Sequence, residues 1–320
     1  MHLAPLTYLS AAGTRAGITL PLTWFTLAIA ILVCVIIAII LWMGVKRAQS
    51  RGGAAETRSA ALLRGASGLN WIGVGLLISA VPLLITLVWT MVALARVGTP
   101  PQHPAFTIDV TGRQWWWDVR YDATDPEKTF ATANEIHIPV GQPVLVRLHG
   151  GDVIHSFWVP KLSGKTDTIP GQVNVTWLEA SRPGRFVGQC TEYCGWQHAH
   201  MAFEVVAEPP ADFERWRAAQ LQPAPEPTTP DQKRGMAWVE YRCGSCHRVA
   251  GTTAGATAAP DLTHLMSRHK IAAGTLVNTP GTLAGWIQLP QQVKPGALMP
   301  NQYLTGQQLS DTLAYLETLK

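Results

Sequence analysis

The chain has 320 residues, of which 47% are apolar and 14% charged, with a formal net charge of +4. That charge content is low for a wholly soluble protein, and so small and dispersed a positive charge argues against nucleic acid as a partner. The length allows two or more domains. Of the five cysteines, Cys34 sits in an apolar run and the others form two close pairs, Cys190/Cys194 and Cys243/Cys246. This distribution points to cofactor ligation rather than to a disulfide framework.

In chain order, residues 1–20 read as an external N-terminal segment and residues 21–96 as a transmembrane helix hairpin. No charge occurs between Arg15 and Lys46, or between Gly65 and Ala95. Each run exceeds the roughly 20 residues that a helix needs to cross the hydrocarbon core. Both are too long for the apolar region of a signal peptide. The connecting loop carries Lys46, Arg47, Arg51, Arg58 and Arg64 against Glu56 alone. The bias of cytoplasmic loops toward Lys and Arg puts this loop inside and everything after Arg96 outside. The soluble domains are therefore expected on the outer face of the membrane. Cys34, mid-membrane and without a partner, reads as packing.

Residues 97–221 read as an all-β, cupredoxin-like domain. FTIDV, RQWWWDVRY, NEIHI, PVLVRLH, NVTWLE, GRFVGQC and MAFEVV are short β-rich runs separated by Gly, Pro and Asp clusters, as in a sandwich or barrel. In PVLVRLH, Val144, Val146 and Leu148 alternate with Leu145, Arg147 and His149, giving two unlike faces. A short helix around Asp212 to Leu221 closes the domain. Residues 222–230, QPAPEPTTP, hold four prolines in nine residues. At ~3.1 Å per residue, an extended polyproline segment of this length spans roughly 28 Å, which predicts a tether rather than a packed joint. Residues 231–320 read as an all-α domain, with Ser310 as the expected N-cap of its last helix.

The run Cys190-Thr-Glu-Tyr-Cys194-Gly-Trp-Gln-His198-Ala-His-Met201 gathers two thiols, an imidazole and a thioether, donors that select copper over magnesium or calcium. His155, in DVIHSFWVP, offers a second imidazole. Two thiolates can bridge two metal ions and spread one electron over both. A disulfide or a structural zinc site is the competing reading; Met201 and the strand-rich setting favour copper.

Cys-x-Glu-x-Cys-x3-His-x2-Met, preceded by HSFWVP and GKTDTIPGQVN, resembles subunit II of cytochrome c oxidase from the first membrane helix to about residue 217. The resemblance implies that His155, Cys190, Cys194, His198 and Met201 bind a dinuclear copper centre, CuA, with the backbone carbonyl of Glu192 as a further ligand. It also implies a magnesium ion reached by the Glu192 side chain at the interface with subunit I, and electron input at Trp115. His200 is not used by the family motif. Two departures stand out: Asn70 lies where family members often carry a glutamate, and Gln172 stands in place of an arginine.

Cys243-Gly-Ser-Cys246-His247 is the attachment pattern for a covalent haem c, with His247 as proximal ligand. The Pro260 carbonyl is placed to accept the proton of that histidine, and Met299 in KPGALMP supplies the sixth ligand. His/Met ligation makes an electron carrier, closed to exogenous ligands. His264 and His269 are expected at the surface or beside the haem propionates. Residues 232–320 resemble class I cytochrome c domains fused to oxidase subunits II, with Ala259 where a glycine is usual. The expected function is electron input to a respiratory terminal oxidase. Electrons would pass from haem c to CuA and on to subunit I, where oxygen is reduced to water with proton translocation. The expected partners are subunits I and III, the membrane, and a donor complex or soluble cytochrome c. Two alternatives stay open: the copper subunit of a nitric oxide reductase, and a free-standing anchored electron shuttle or copper-binding protein.

Overall fold

The computed structural model describes residues 7–50, 66–122 and 125–320. They form two compact units, one of residues 17–99 and one of residues 100–320 together with the stretch that ends at Ala16. In the first, α1 (Thr14–Ser50) and α2 (Ala66–Gly98) are both long and apolar enough to cross a membrane. Ile36, Leu41, Leu77 and Leu83 stand exposed along them, as a lipid-facing surface requires. Phe25 and Trp89 bring their rings to 5.4 Å, so the two helices meet at that point. Of the loop charges, Lys46 and Arg47 lie in the last turns of α1. Arg51, Glu56, Arg58 and Arg64 lie outside the described residues, as does the side chain of Asn70.

The second unit begins with a β-sandwich. Its first sheet is ordered β3-β2-β1-β5-β8, with β1 at Thr107–Arg113, β2 at Trp116–Asp122, β3 at Phe130–Ala133, β5 at Val144–Gly150 and β8 at Val173–Leu178. The second is ordered β4-β10-β9-β6-β7, with β4 at Glu135–Pro139, β6 at His155–Trp158, β7 at Thr166–Thr168, β9 at Gly184–Cys190 and β10 at Ala202–Glu208. The period of two along β5 works as the sequence predicts. Val144, Val146 and Leu148 are fully buried, whereas Arg147 and His149 face outward onto Asp109 of β1, at 2.8 Å and 2.7 Å. Between the sheets Trp117 is fully buried and meets Phe157 edge-on at 85°. Helix α3 (Pro210–Gln220) caps one end, where Phe213 stacks on Phe106 and Trp216 lies flat on His137 at 3.9 Å.

The N-terminal segment, where it is described, belongs to this sandwich. The Ala12 amide donates to Lys161 O and the Ser181 amide to Ala12 O, each at 2.8 Å. The Arg15 guanidinium is buried against Ser163, Thr176 and the Trp177 ring.

The proline-rich stretch is not the free tether that its composition predicts. The Ala224 amide donates to Ala250 O at 2.9 Å, Gln222 O accepts from His264, and Pro227 is buried. A polyproline backbone leaves its polar groups unpaired, and here the following domain supplies partners for them.

That last domain holds α4 (Pro230–Trp238), a π-turn at Val239–Cys243, a small hairpin of β11 (Lys270–Ile271) and β12 (Leu276–Val277), α5 (Pro280–Gln288), α6 (Pro290–Val293) and α7 (Gly306–Leu316). Helix α7 starts earlier than Ser310: Thr305 is the N-cap and closes a capping box with Gln308. Helices α4 and α7 cross at Gly235, where an added Cβ would lie 1.9 Å from Asp311 O. Arg234 locks the crossing with two hydrogen bonds to Asp311, at 2.8 Å and 2.9 Å.

Gly235→Ala is expected to force this crossing apart and cost about 1–3 kcal/mol, as overpacking does. Gly285→Ala, on an exposed helical site whose Cβ would meet nothing within 4 Å, should instead stabilise by roughly 0.5–1 kcal/mol. Thermal unfolding of the two variants should shift in opposite directions.

Candidate metal centre and cofactor pocket

The loop between β9 and β10 is closed by the Cys190 amide donating to Met201 O at 3.0 Å, and the Thr191 amide ties it to Ser156 O on β6. Turning the chain this way brings Cys190, Cys194, His198 and Met201 together and sets them against His155. The two sulfurs are 3.8 Å apart, far beyond the ~2.05 Å of a disulfide. Cys190 Sγ lies 4.0 Å from His155 Nδ1 and 3.3 Å from Glu192 O. Cys194 Sγ lies 3.6 Å from His198 Nδ1 and 3.8 Å from Met201 Sδ. Both imidazoles thus present Nδ1 to the sulfurs. His155 Nε2 is held by Asp152 Oδ1 at 2.7 Å, an anchor three residues upstream that the sequence reading missed. His200 turns to Gln197 Oε1 and stays outside the cluster. The Glu192 carboxylate points away, about half exposed, 3.9 Å from Lys165 Nζ.

Chemistry tests this donor set. The Cys190 thiol is drawn down to about 3, first by its hydrogen bond with Cys194 and then by His155, against the effect of burial. That same bond, burial and the Cys190 charge push the Cys194 thiol up. Two buried sulfurs this close become thiolates together only with positive charge between them. Two sulfurs, two Nδ1 atoms and a thioether around one point fit a soft, thiophilic metal such as copper. Trp115 donates its indole Nε1 to Cys194 O at 2.9 Å, so this tryptophan is bonded to the ligand loop itself.

In the last domain, Cys243, His247 and Met299 line one pocket with Leu265, Trp286 and Ile287. His247 Nδ1 is 2.7 Å from Pro260 O, as the sequence predicts. Burial lowers its pKa, so the ring is neutral and Nε2 is free to ligate. Cys246 is exposed, and burial pushes the Cys243 thiol up to about 11. Arg268 lines the pocket, is 7% exposed, and has an Nε with no hydrogen-bond partner. An orphaned buried guanidinium nitrogen fits an anionic substituent on a large apolar ligand, which is what a haem propionate offers. Lys270 lines the same wall.

His264 corrects an expectation: it lies at neither the surface nor the pocket, but is buried between Lys320 O at 2.7 Å and Gln222 O at 3.1 Å. His269 is exposed and pairs with Glu204 at 3.0 Å. The cations of the pocket are its neighbours Arg268 and Lys270, a role that the run SRHK signals only once the fold is known. Ala259 does not take the left-handed conformation for which glycine is favoured, so alanine is unstrained there.

Residues 106–208 match the family described as cytochrome c oxidase subunit II, periplasmic domain, and residues 232–320 the family described as cytochrome c. A cytochrome c oxidase subunit 2 from Alkalihalophilus pseudofirmus is 39% identical over 67% of this chain and 61% of its own length. One from Bacillus sp. (strain PS3) is 33% identical over 77% of this chain and 71% of its own. The chain thus spans less than two thirds of the first of these relatives. The periplasmic domain of subunit II of cytochrome oxidase from Bradyrhizobium japonicum is 32% identical, covering 38% of this chain and 96% of that one with a TM-score of 0.36.

The sandwich meets the last domain through an acidic pair. Burial pushes the Glu135 carboxyl up, but His137, the His269 amide and Arg185 more than offset it and leave it at about 2. A carboxyl so depressed stabilises the fold above its unfolded value near 4.5, and that contribution disappears as pH falls through about 2. Acid titration of thermal stability should therefore show a decline between about pH 4.5 and pH 2, and Glu135→Gln should flatten this limb.

Proposed function

The chain belongs to the cytochrome c oxidase subunit II family, and from that premise we propose that it is the electron-input subunit of a respiratory haem–copper oxidase. The observation that carries the reading is the convergence of His155, Cys190, Cys194, His198 and Met201 on one point beside an indole bonded to the same loop. These five side chains and the Glu192 carbonyl would hold a dinuclear copper centre. Cys243 and Cys246 would hold a haem through thioether bonds, with His247 and Met299 as its axial ligands. Copper and haem so bound supply two one-electron centres.

The chain's own residues do the rest. Asp152 fixes the His155 ring so that Nδ1 faces the sulfurs, and such outer partners raise the basicity of a ligand. The Pro260 carbonyl does the same for His247. Arg268 and Lys270 would hold the propionates. The buried shell around Cys190, Cys194 and Met201 keeps water from the sulfurs. Trp115 would receive electrons from an outside donor.

No histidine lies between residues 3 and 102, so the membrane helices cannot hold an oxygen-reducing haem, and a partner subunit I must carry that site. Subunit III and a donor complex or soluble cytochrome c complete the proposed assembly. The half-exposed Glu192 carboxylate is available to a magnesium ion shared with subunit I. A chain that crosses the membrane twice returns to the side it left. The packing of Ala12 and Arg15 on the sandwich supports this topology, with the soluble domains on the periplasmic face of the plasma membrane.

The purified complex should consume oxygen and show a mixed-valence copper signal beside a low-spin haem. Nitric oxide reduction in its place would move the assignment to a nitric oxide reductase, and the absence of a helical partner subunit to a free shuttle. Cys194→Ser should abolish the copper signal and oxygen uptake while the haem spectrum persists. Loss of both signals, or of neither, would sink the ligand assignment.

A further inference from the structure

Lys294 follows α6, and its side chain is buried, 3% exposed. Its Nζ lies 2.8 Å from Trp115 O, 2.9 Å from His200 O and 3.5 Å from Ala272 O. An ammonium has three donors, and here each faces a carbonyl. No carboxylate pairs with it among the described residues. Taking such a charge out of water is costly unless its geometry is well satisfied, and burial draws the Lys294 pKa down to about 7.

The identity of the acceptors gives this cost a purpose. Trp115 is bonded through its indole to Cys194 O, and His200 directly precedes Met201. Lys294 itself lies five residues before Met299. One side chain therefore joins the copper loop, at His200, and the Trp115 turn bonded to it to the segment that would carry the haem's axial methionine.

The surroundings are built to the same end. Gln197 donates to Pro295 O at 2.8 Å, and the Ala202 amide to Ala273 O at 3.1 Å. Ala272 and Ala273 adopt φ of 52° and 53°, a left-handed backbone that non-glycine residues avoid, and so offer their carbonyls across the seam. Asn134 of the sandwich lines the haem pocket and accepts from the Trp117 amide at 2.8 Å.

We propose that Lys294 is a positioning residue for internal electron transfer, keying the haem-binding domain onto the copper loop at one fixed separation. The inference rests on the electron-input reading. A domain on a loose tether would meet the copper loop only intermittently, at the effective concentration its linker allows. A keyed domain is always in contact, and tunnelling falls so steeply with distance that a fixed seam sets the rate. One electron passes from the haem side to the copper side, with no bond made or broken and no proton moved.

The test uses the full-length chain in the purified oxidase, comparing it with Lys294→Met and the milder Lys294→Gln. Hydrogen exchange is read at the Ala202 and His269 amides, which both donate across the seam. Haem-to-copper transfer is followed after rapid reduction by a small external reductant. Losing charge-assisted bonds should speed exchange at both amides and slow internal transfer by about tenfold or more. Copper and haem spectra and the rate of haem reduction from outside should stay unchanged. If either exchange or internal transfer is unaltered in a variant with intact spectra, the proposal is overturned. Should Lys294→Met lose its spectra, Lys294→Gln decides by the same two readouts. An unmodified protein without the copper or haem signal would instead defeat the electron-input reading, and exchange would still judge the seam.

Discussion

Two sulfurs held 3.8 Å apart in a buried pocket impose the constraint on which the sandwich is organised. Neither thiol can readily lose its proton while its neighbour is charged, so the site is stable as a dianion only around cationic metal. To keep both sulfurs on one side of a twelve-residue loop, the chain enters from β9 and leaves into β10, adjacent antiparallel strands of one sheet. The fifth side chain comes from β6, which pairs with the end of β9 at Phe157 and Cys190. A short hydrogen-bonded loop between paired strands cannot drift. The donor side chains are preorganised because the sheet is.

The haem-binding domain meets a different requirement with different means. It has to enclose a large, mostly apolar group while leaving room for its anionic substituents. Close approach of α4 and α7 at Gly235 gives a rigid helical corner, and the pocket is walled by aliphatic residues with His247 and Met299 in its lining. Arg268 and Lys270 put positive charge on one wall. Lys270 is shared: its ammonium also meets Glu204 of the sandwich at 2.8 Å. Through it, and through the seam around Lys294, the cofactor pocket and the copper loop are parts of one mechanical unit.

Much of this grouping was legible in the order of residues because the candidate ligands are close along the chain. Cys190 to Met201 and Cys243 to His247 each fall within a dozen residues, so their spacing alone restricts the geometry. The proximal bond from His247 to Pro260 was legible for the same reason, bridging two neighbouring turns. Composition misjudged residues 222–230: four prolines exclude regular structure, but they say nothing of whether the freed carbonyls and amides find partners elsewhere. His264 was misjudged likewise, since both of its acceptors, Lys320 O and Gln222 O, lie more than forty residues away.

The amino-acid order by itself determined the two apolar helices, the alternation that builds the sandwich, and the candidate donor side chains of both proposed sites, because these follow from local periodicity and short spacing. Only the tertiary structure decided that Asp152 orients His155, that Arg268 and Lys270 rather than His264 or His269 line the pocket, and that Lys294 bridges two domains. Those roles depend on carbonyls and vacant nitrogens brought together by folding. Backbone acceptors are identical at every position, so no pattern of side chains announces which of them a buried cation will meet.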